Sequence, residues 1–215
     1  MEVFQKGFDA LDSMQANMPD MFITGVKIDD MDGLEHLEPF VERKLPILVV
    51  TSRRDSRTVA LLRELRCSLI VTTFQAGRVI LMRPQPSAIN THFLALPRPM
   101  GLAADENRIF VGAHRSVHEY RNVPAVASRL DPPNANDAVY LLRNVHVTGH
   151  VDIHEMAFAR DECWYVNTLF SCLCTLDNEH SFVPRWRPRF VSGYAPEDRC
   201  HLNGLAMGDG RPRYL

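Results

Sequence analysis

The chain has 215 residues, of which 46% are hydrophobic and 23% are charged, and its formal net charge is −2. This length allows one large domain or two small ones, and the apolar content suffices for a buried core. A nearly neutral chain has no long-range field to hold phosphate backbones, so we expect no nucleic-acid partner. The sequence has no signal-like N-terminus and no run of about 18 apolar residues, so we expect a cytoplasmic protein without a membrane partner.

Residues 1–45 are acidic and rich in methionine, and residues 4–14 and 34–43 have the apolar spacing of amphipathic helices. We predict that residues 1–45 form an N-terminal extension that is partly helical or flexible. The main domain is predicted to comprise residues 46–215.

Residues 47–73 have the pattern of a strand, a loop, a helix and a second strand. Such a unit also begins parallel α/β sheets, so a nucleotide-binding domain is an alternative interpretation here. The loop at residues 51–58 contains no glycine, and neither glycine-rich phosphate-binding pattern is present in the sequence. We therefore interpret this segment as a short α/β or helical addition to the fold with a structural role.

After Cys67 the pattern becomes that of short antiparallel strands joined by polar turns. The predicted hairpins pair residues 68–73 with 78–82, 108–112 with 117–120, and 163–167 with 172–176. Looser segments that contain proline follow, and proline suits edges and connections because it cannot donate to a ladder. Units of four antiparallel strands account for this order.

The five cysteines are an odd number, and most of them lie in apolar strand-like patterns. This arrangement favours buried thiols in a reducing compartment. Cys172 and Cys174 would share one face of a strand, but no second Cys or His pair at metal-binding spacing accompanies them. We interpret both cysteines as structural.

Three segments of the sequence, around Gly101, Glu155 and Gly204, are similar to one another when these residues are superposed. They form a recurring motif with a period of roughly fifty residues. Short strands and polar turns at this period are typical of β-propeller blades. We predict an all-β protein, an incomplete β-propeller of about three blades plus the first strand of another. The predicted blade units are residues 61–98, 99–150, 151–200 and 201–215.

An incomplete propeller leaves two apolar faces and one unpaired strand edge in water, because closure normally covers all of them. We therefore expect that the chain is a fragment of a longer protein, or that it associates with another chain through the open propeller edge.

From about Leu61 to the end, the chain resembles an uncharacterised, mainly bacterial family that is known only as a domain of unknown function and whose members are usually longer. The stretches that carry this resemblance are residues 65–77, 100–103, 152–155, 166–173, 180–188 and 197–207. The resemblance implies a propeller fold and a missing C-terminal portion, and it implies no activity.

A second resemblance concerns Leu202-Asn-Gly-Leu-Ala, which is similar to the Pro-Asn-Gly-Leu-Ala motif of the gluconolactonase and senescence-marker family of six-bladed propellers. In that family the Asn of the motif coordinates a divalent metal ion at the central channel. The resemblance implies this role for Asn203 alone, and Leu202 departs from the proline of the family.

Inner strands of a propeller meet at a central channel, so equivalent repeat positions converge there. Met100, His154 and Asn203 share one such position, and Glu155 follows His154. The predicted metal ligands are Asn203, His154 and Glu155, with Asp152 as an alternative source of the carboxylate, since amide, imidazole and carboxylate groups can bind Ca²⁺, Mg²⁺, Mn²⁺ or Zn²⁺. The alternative is that His154 and Asn203 hydrogen-bond neighbouring blades across a water-filled channel.

The predicted ligand-binding residues surround the same mouth. They are Asp152, His154, Glu155, Asn167, Arg199 and His201. Arg199 is suited to a carboxylate or a sugar hydroxyl, or alternatively to a surface ion pair with Glu197 or Asp198.

The predicted function is binding of a small polar or sugar-like ligand with a divalent cation at the central channel. The alternative is a non-enzymatic scaffold that binds a protein partner. The sequence contains no Gly-x-Ser-x-Gly pattern and assigns no enzymatic reaction.

Overall fold

The computed structural model describes residues 22–25, 27–28, 31–32, 47–50, 56–86, 88–132 and 135–214. Within these ranges the chain is all-β with two helices, α1 (Ser56–Glu64) and α2 (Pro124–Ala127). Neither of these described helices is long and apolar enough to cross a membrane. The helices predicted at residues 4–14 and 34–43 lie outside the described residues.

The strands follow one another closely along the described chain. They are β1 (Phe22–Gly25), β2 (Lys27–Ile28), β3 (Met31–Asp32), β4 (Ile47–Val50), β5 (Leu69–Thr73), β6 (Arg78–Pro84), β7 (Ile89–Ala95), β8 (Leu102–Ala104), β9 (Arg108–Gly112), β10 (Ser116–Asn122), β11 (Tyr140–Val147), β12 (Ile153–Ala159), β13 (Glu162–Asn167), β14 (Cys172–Thr175), β15 (Val183–Trp186), β16 (Ala206–Gly208) and β17 (Arg211–Tyr214).

The chain divides into two compact units, of which the first comprises Met1–Val71 with Ile80–Phe93 and the second comprises Thr72–Val79 with Leu94–Leu215. Strands β5, β6 and β7 form a three-stranded sheet in that order. The turn between β5 and β6 ends at Gly77, whose φ of +61° is readily adopted only by glycine.

In the first unit, the predicted strand, helix and strand are present as β4, α1 and β5. However, β4 pairs in parallel with β1, while β5 pairs with β6. Among the described strands, β4 and β5 therefore lie in different sheets, and the segment does not form the parallel unit of a nucleotide-binding domain. The parallel pairing of β1 with β4 was not expected from the sequence.

Two four-stranded antiparallel sheets form the second unit. The first sheet has the order β11-β10-β9-β8, and the second sheet has the order β12-β13-β14-β15. Strands that follow each other along the chain are neighbours in both, and the predicted hairpins are present as β9 with β10 and β13 with β14. Strands β16 and β17 form a further antiparallel pair. None of the described sheets closes on itself.

The core of the second unit lies between the first and second sheets. Its buried members are Ala103, Phe110, Val117, Val151, Ile153, Met156, Cys163, Tyr165, Cys172 and Cys174. The Phe110 and Phe158 rings meet edge to face, with their centroids 5.2 Å apart. Cys163, Cys172 and Cys174 are buried free thiols, as their apolar strand-like patterns predicted.

Two glycines allow the first sheet to approach the second sheet closely. A Cβ atom at Gly101 would lie 2.6 Å from Met156 Cγ, and one at Gly112 would lie 2.6 Å from Ile153 Cγ2. The Gly101 N–H also donates a hydrogen bond to the Ile153 carbonyl, at 3.3 Å. The contact between the two sheets therefore requires the absence of a side chain at both positions.

We predict that Gly112→Ala lowers the free energy of unfolding by about 1–3 kcal/mol, because the added methyl overpacks the contact with Ile153. Gly193→Ala is the matched control, since a Cβ atom there meets nothing within 4 Å. The control is expected to be neutral or slightly stabilising. Urea unfolding of both variants checks this, and equal stability of Gly112→Ala and the wild type would contradict the packing argument.

Candidate functional site

A cleft opens in the second unit where the chain enters strands β8 and β12. Its volume is about 320 Å³. The lining residues are Phe74, Arg98, Met100, Ala113, His114, Asp152, Ile153, His154 and His201. Three histidines, one aspartate and one arginine in so small a space make this cleft the strongest candidate for a binding site.

Three of the lining side chains come from residues with left-handed backbone. The φ angles are +45° at Arg98, +48° at Asp152 and +44° at His201. All three occupy one position of the recurring motif, ahead of β8, β12 and β16 respectively. Left-handed backbone costs a residue other than glycine about 1–2 kcal/mol, and such residues concentrate at functional sites.

One cluster, of which His114 and Asp152 line the cleft, has the composition of a metal site. The ligand atoms of His114, His150 and Asp152 all lie within 4.8 Å of one another. His150 Nε2 is 3.0 Å from Asp152 Oδ1, and the ring centroids of His114 and His150 are 4.8 Å apart. His114 comes from the turn between β9 and β10, and the other two residues come from the segment before β12.

The His114 imidazole has a nitrogen available for a ligand. Its Nδ1 is buried and has no hydrogen-bond partner among the described residues. Burial lowers the pKa of His114, and the nearby His150 and Arg98 lower this pKa further. The ring is therefore neutral at physiological pH, and a buried, neutral, unpaired imidazole nitrogen is suited to coordinate a cation.

A second cluster contributes His154 and His201 to the lining of the cleft. The Asn203 amide donates to His154 Nδ1 at 3.0 Å, and the His154 ring meets the His201 ring edge to face at 4.9 Å. His201 Nδ1 donates to Asp198 Oδ2 at 2.6 Å, and the His201 N–H donates to Asp198 Oδ1. Burial and the neighbouring His201 lower the pKa of His154, which keeps this ring neutral as well.

The structure brings His154 and Asn203 into contact, but it directs Glu155 elsewhere. Glu155 Oε1 accepts a hydrogen bond from the N–H of Met156 at 3.0 Å, and Glu155 is not among the residues that line the cleft. Met100 lines the cleft together with His154. Two members of the predicted metal set are therefore adjacent, and the third faces a different environment.

Asn167 and Arg199 have their polar groups engaged away from the cleft. Asn167 is fully buried, and its amide accepts from the Phe170 N–H at 3.1 Å and donates to Cys174 Sγ at 3.7 Å. Asn167 thus holds the turn between β13 and β14 in place.

Arg199 donates to Glu197 at 2.6 Å and to Ser192 Oγ at 2.8 Å. This is the alternative role that the sequence suggested for Arg199, a surface ion pair.

Sequence reasoning does not identify His114, Arg98 or His150. The spacing of His150 from His146 and His154 would bring three imidazoles together only on a helix, and the observed backbone is strand and loop. His146 in fact contacts Glu119, at 3.2 Å, outside the cleft. The superposition of Gly101, Glu155 and Gly204, extended to three residues before each of them, aligns Arg98 with Asp152 and His201, so that signal was present in the sequence.

Comparison with known proteins identifies a family. The family model described as Domain of unknown function (DUF4915) matches residues 56–215, which is more than half of the chain. Searches of curated proteins and of solved structures found no match. The mainly bacterial origin and the likeness to the gluconolactonase family therefore stay predictions.

We predict that Glu155→Gln stabilises the protein at neutral pH. Burial raises the pKa of the Glu155 carboxyl, so its ionisation opposes folding as the pH rises through that pKa. Gln keeps an oxygen for the Met156 N–H and removes the ionisation. The advantage should shrink as the pH falls and vanish below 4.5, the ordinary pKa of a glutamate carboxyl, which applies in the unfolded chain.

Thermal unfolding at a series of pH values measures this difference between Glu155→Gln and the wild type. Glu106→Gln, at an exposed position, controls for the simple loss of a negative charge. An advantage of Glu155→Gln that grew at acid pH would contradict the assignment of a raised pKa.

Proposed function

We infer the function from the cleft itself, since the chain belongs to the DUF4915 family, which is a domain of unknown function. We propose that the protein binds a divalent transition-metal ion at His114, His150 and Asp152, and that a small polar ligand binds beside the ion. The observation that carries this proposal is that the ligand atoms of these three groups lie within 4.8 Å of one another, in a cluster whose His114 has an unpaired Nδ1.

The chemistry of the three groups narrows the identity of the metal ion. Two imidazoles and one carboxylate suit Zn²⁺, Mn²⁺, Fe²⁺ or Co²⁺, whereas Ca²⁺ and Mg²⁺ prefer ligand sets made of oxygen atoms. Three protein ligands leave at least one coordination position for water or for a bound molecule. A metal ion can take part in ligand binding only if it has such an open coordination position.

The distances in the cluster are compatible with one shared ion. An ion bound at about 2.0–2.2 Å holds its ligand atoms roughly 3–4 Å apart. His150 Nε2 and Asp152 Oδ1 already satisfy this condition, at 3.0 Å. The three ligand atoms lie within 4.8 Å, so small rotations of the side chains are enough to close the set.

His154, His201 and Asn203 take a different role in this proposal. The Asn203 amide fixes the orientation of the His154 ring, and Asp198 fixes that of His201. Both rings line the cleft beside the proposed ion. They therefore supply hydrogen-bonding groups to the polar ligand, with the metal ion held by the neighbouring cluster instead of the set that contains Glu155.

We propose a propeller as the architecture that creates the cleft. Two consecutive segments, residues 99–150 and 151–200, each contain one antiparallel sheet of four strands in sequential order, as propeller blades do. A left-handed residue precedes β8, β12 and β16 at the same motif position. Residues 61–98 and 201–215 supply parts of the adjoining blades, and residues 1–45 form an extension to this domain.

We predict that His114→Ala and His150→Ala each weaken the binding of Zn²⁺ and Co²⁺ at least about a hundredfold. Loss of a residue that binds the metal directly should lower the metal affinity at least as much as loss of a residue that only hydrogen-bonds to such a ligand. His180→Ala is the matched control, because His180 contacts Asp177 at 2.7 Å in an exposed turn. Calorimetric titration and elemental analysis of the full chain give the affinities and the stoichiometry.

The experiment also separates the two sets of metal ligands. His154→Ala and Asn203→Ala should leave the metal affinity nearly unchanged if His114, His150 and Asp152 hold the ion. Loss of metal in these variants, with retention in His114→Ala, would favour the set predicted from the sequence. A wild-type chain that binds none of these ions would overturn the proposed function.

The alternative function, a protein-interaction scaffold, is supported by strand β11. This strand is at the edge of the first sheet, and its exposed apolar side chains are those of Leu141, Leu142, Val145 and Val147. An edge strand offers unpaired backbone groups that can pair with a strand of another chain. A second copy of this chain is the partner that we propose, because two identical edges can pair about a two-fold axis.

We predict that the double variant Leu142→Lys, Val147→Lys is monomeric at concentrations at which the wild type is a dimer. Lysine on an edge strand opposes pairing because the approaching strands then carry like charges. Phe190→Lys is the control, since Phe190 is 72% exposed but lies outside the strands. Light scattering after size-exclusion chromatography measures the mass, and a wild type that is always monomeric contradicts this alternative.

A further inference from the structure

We propose that the ligand of the cleft is a small anion whose carboxylate or phosphate group binds to Arg98 while its other end coordinates the metal ion. This inference rests on the proposed metal site at His114, His150 and Asp152, and it names the chemical class of the molecule that binds there.

Arg98 is the one arginine among the described residues that line the cleft. Its guanidinium lies over the Phe74 ring, 5.7 Å from the centroid, and no carboxylate of the described residues forms an ion pair with it. Within the described part of the chain, the arginines that pair with carboxylates are Arg108, Arg121, Arg185, Arg199 and Arg213. A guanidinium placed on an aromatic wall without an anionic partner is suited to bind an anion from solution.

The backbone at Arg98 gives a second, independent reason. Its φ of +45° is the conformation that glycine adopts most easily, and arginine gains no local hydrogen bond there comparable to that of Asp or Asn. The same motif position brings Asp152 and His201 into the cleft. The arrangement holds a cationic side chain in the cleft at a cost in stability, as residues of binding sites often do.

The charge of the loaded cleft also favours an anion. Asp152 is the one carboxylate among the described residues that line it. A divalent ion together with the Arg98 guanidinium therefore outweighs the charge of Asp152. Coulomb attraction in a partly desolvated cleft then selects negatively charged molecules over neutral ones.

The size of the cleft limits the anion to a small molecule. A volume of about 320 Å³ is at the lower end of the range of ligand pockets in proteins, which extends to about 1,000 Å³. Phe74 and Met100 provide an apolar part of the wall. A compact molecule with one acidic group and a metal-coordinating oxygen fits these conditions, as a hydroxy acid or a phosphate ester does.

The test uses the full chain loaded with Co²⁺, whose visible spectrum reports ligands that enter its coordination sphere. Glycolate is the carboxylate probe, methyl phosphate is the phosphate probe, and ethylene glycol is the neutral probe. Each is titrated into the wild type, into Arg98→Gly and into Arg160→Gly. Arg160 is the matched control, because it is an exposed arginine with a φ of +57° that does not line the cleft.

We expect glycolate or methyl phosphate to bind to the wild type and to Arg160→Gly with similar affinity, and at least about tenfold more weakly to Arg98→Gly. Ethylene glycol should bind weakly and equally to all three proteins. Retained Co²⁺ binding by Arg98→Gly shows that the variant is folded. The relative affinities of the two anions decide between a carboxylate and a phosphate.

Two results overturn the inference. The first leaves the proposed metal site intact, and the second also rules out the proposed function. If Co²⁺ binds but neither anion depends on Arg98, or neither binds better than ethylene glycol, then the anion assignment fails and the metal site stands. If the wild type binds no Co²⁺, then the proposed function fails, and the assignment of the anion falls with it.

Discussion

The contact between Gly101 and Gly112 on one sheet and Ile153 and Met156 on the next is the constraint on which the second unit depends. No side chain fits between them, so the two sheets approach until a backbone N–H of one reaches a carbonyl of the other. This approach places the start of β8 beside the start of β12. The cleft lies between these two strand starts, so its existence follows from the packing of the sheets and not from a binding motif.

The cleft is formed by residues that are locally unfavourable. Arg98, Asp152 and His201 all have left-handed backbone, and none of them is glycine. Each conformation costs about 1–2 kcal/mol, which the buried core between the two sheets must offset. This cost is consistent with a role in binding, because a left-handed residue just ahead of a strand turns its side chain out of the hydrogen-bonded ladder of the sheet. The recurring position therefore contributes a guanidinium, a carboxylate and an imidazole to one cavity.

The sequence predicted the features that depend on local patterns. The all-β class and the hairpins β9 with β10 and β13 with β14 follow from alternating apolar residues and polar turns, and the structure confirms them. The contact of His154 with Asn203 matches the superposition of the recurring motif. His114 could not be found in this way, since its approach to His150 depends on how a hairpin turn of one sheet meets the segment before the next sheet. The sequence predicted Asn167 as a ligand-binding residue near the mouth, but in the structure it is a buried hydrogen-bond partner of Phe170 and Cys174.

Two copies of one local motif show why placement decides the role of a residue here. Asp177 and His180 form the same arrangement as Asp198 and His201, in which the carboxylate accepts hydrogen bonds from the N–H and from Nδ1 of the histidine three positions later. The local geometry is therefore a property of the turn, and it fixes the ring orientation in both places. Only His201 lies against another histidine and lines the cleft. A motif search would score the two pairs equally, so the functional difference comes from the packing of β12 beside the last turn.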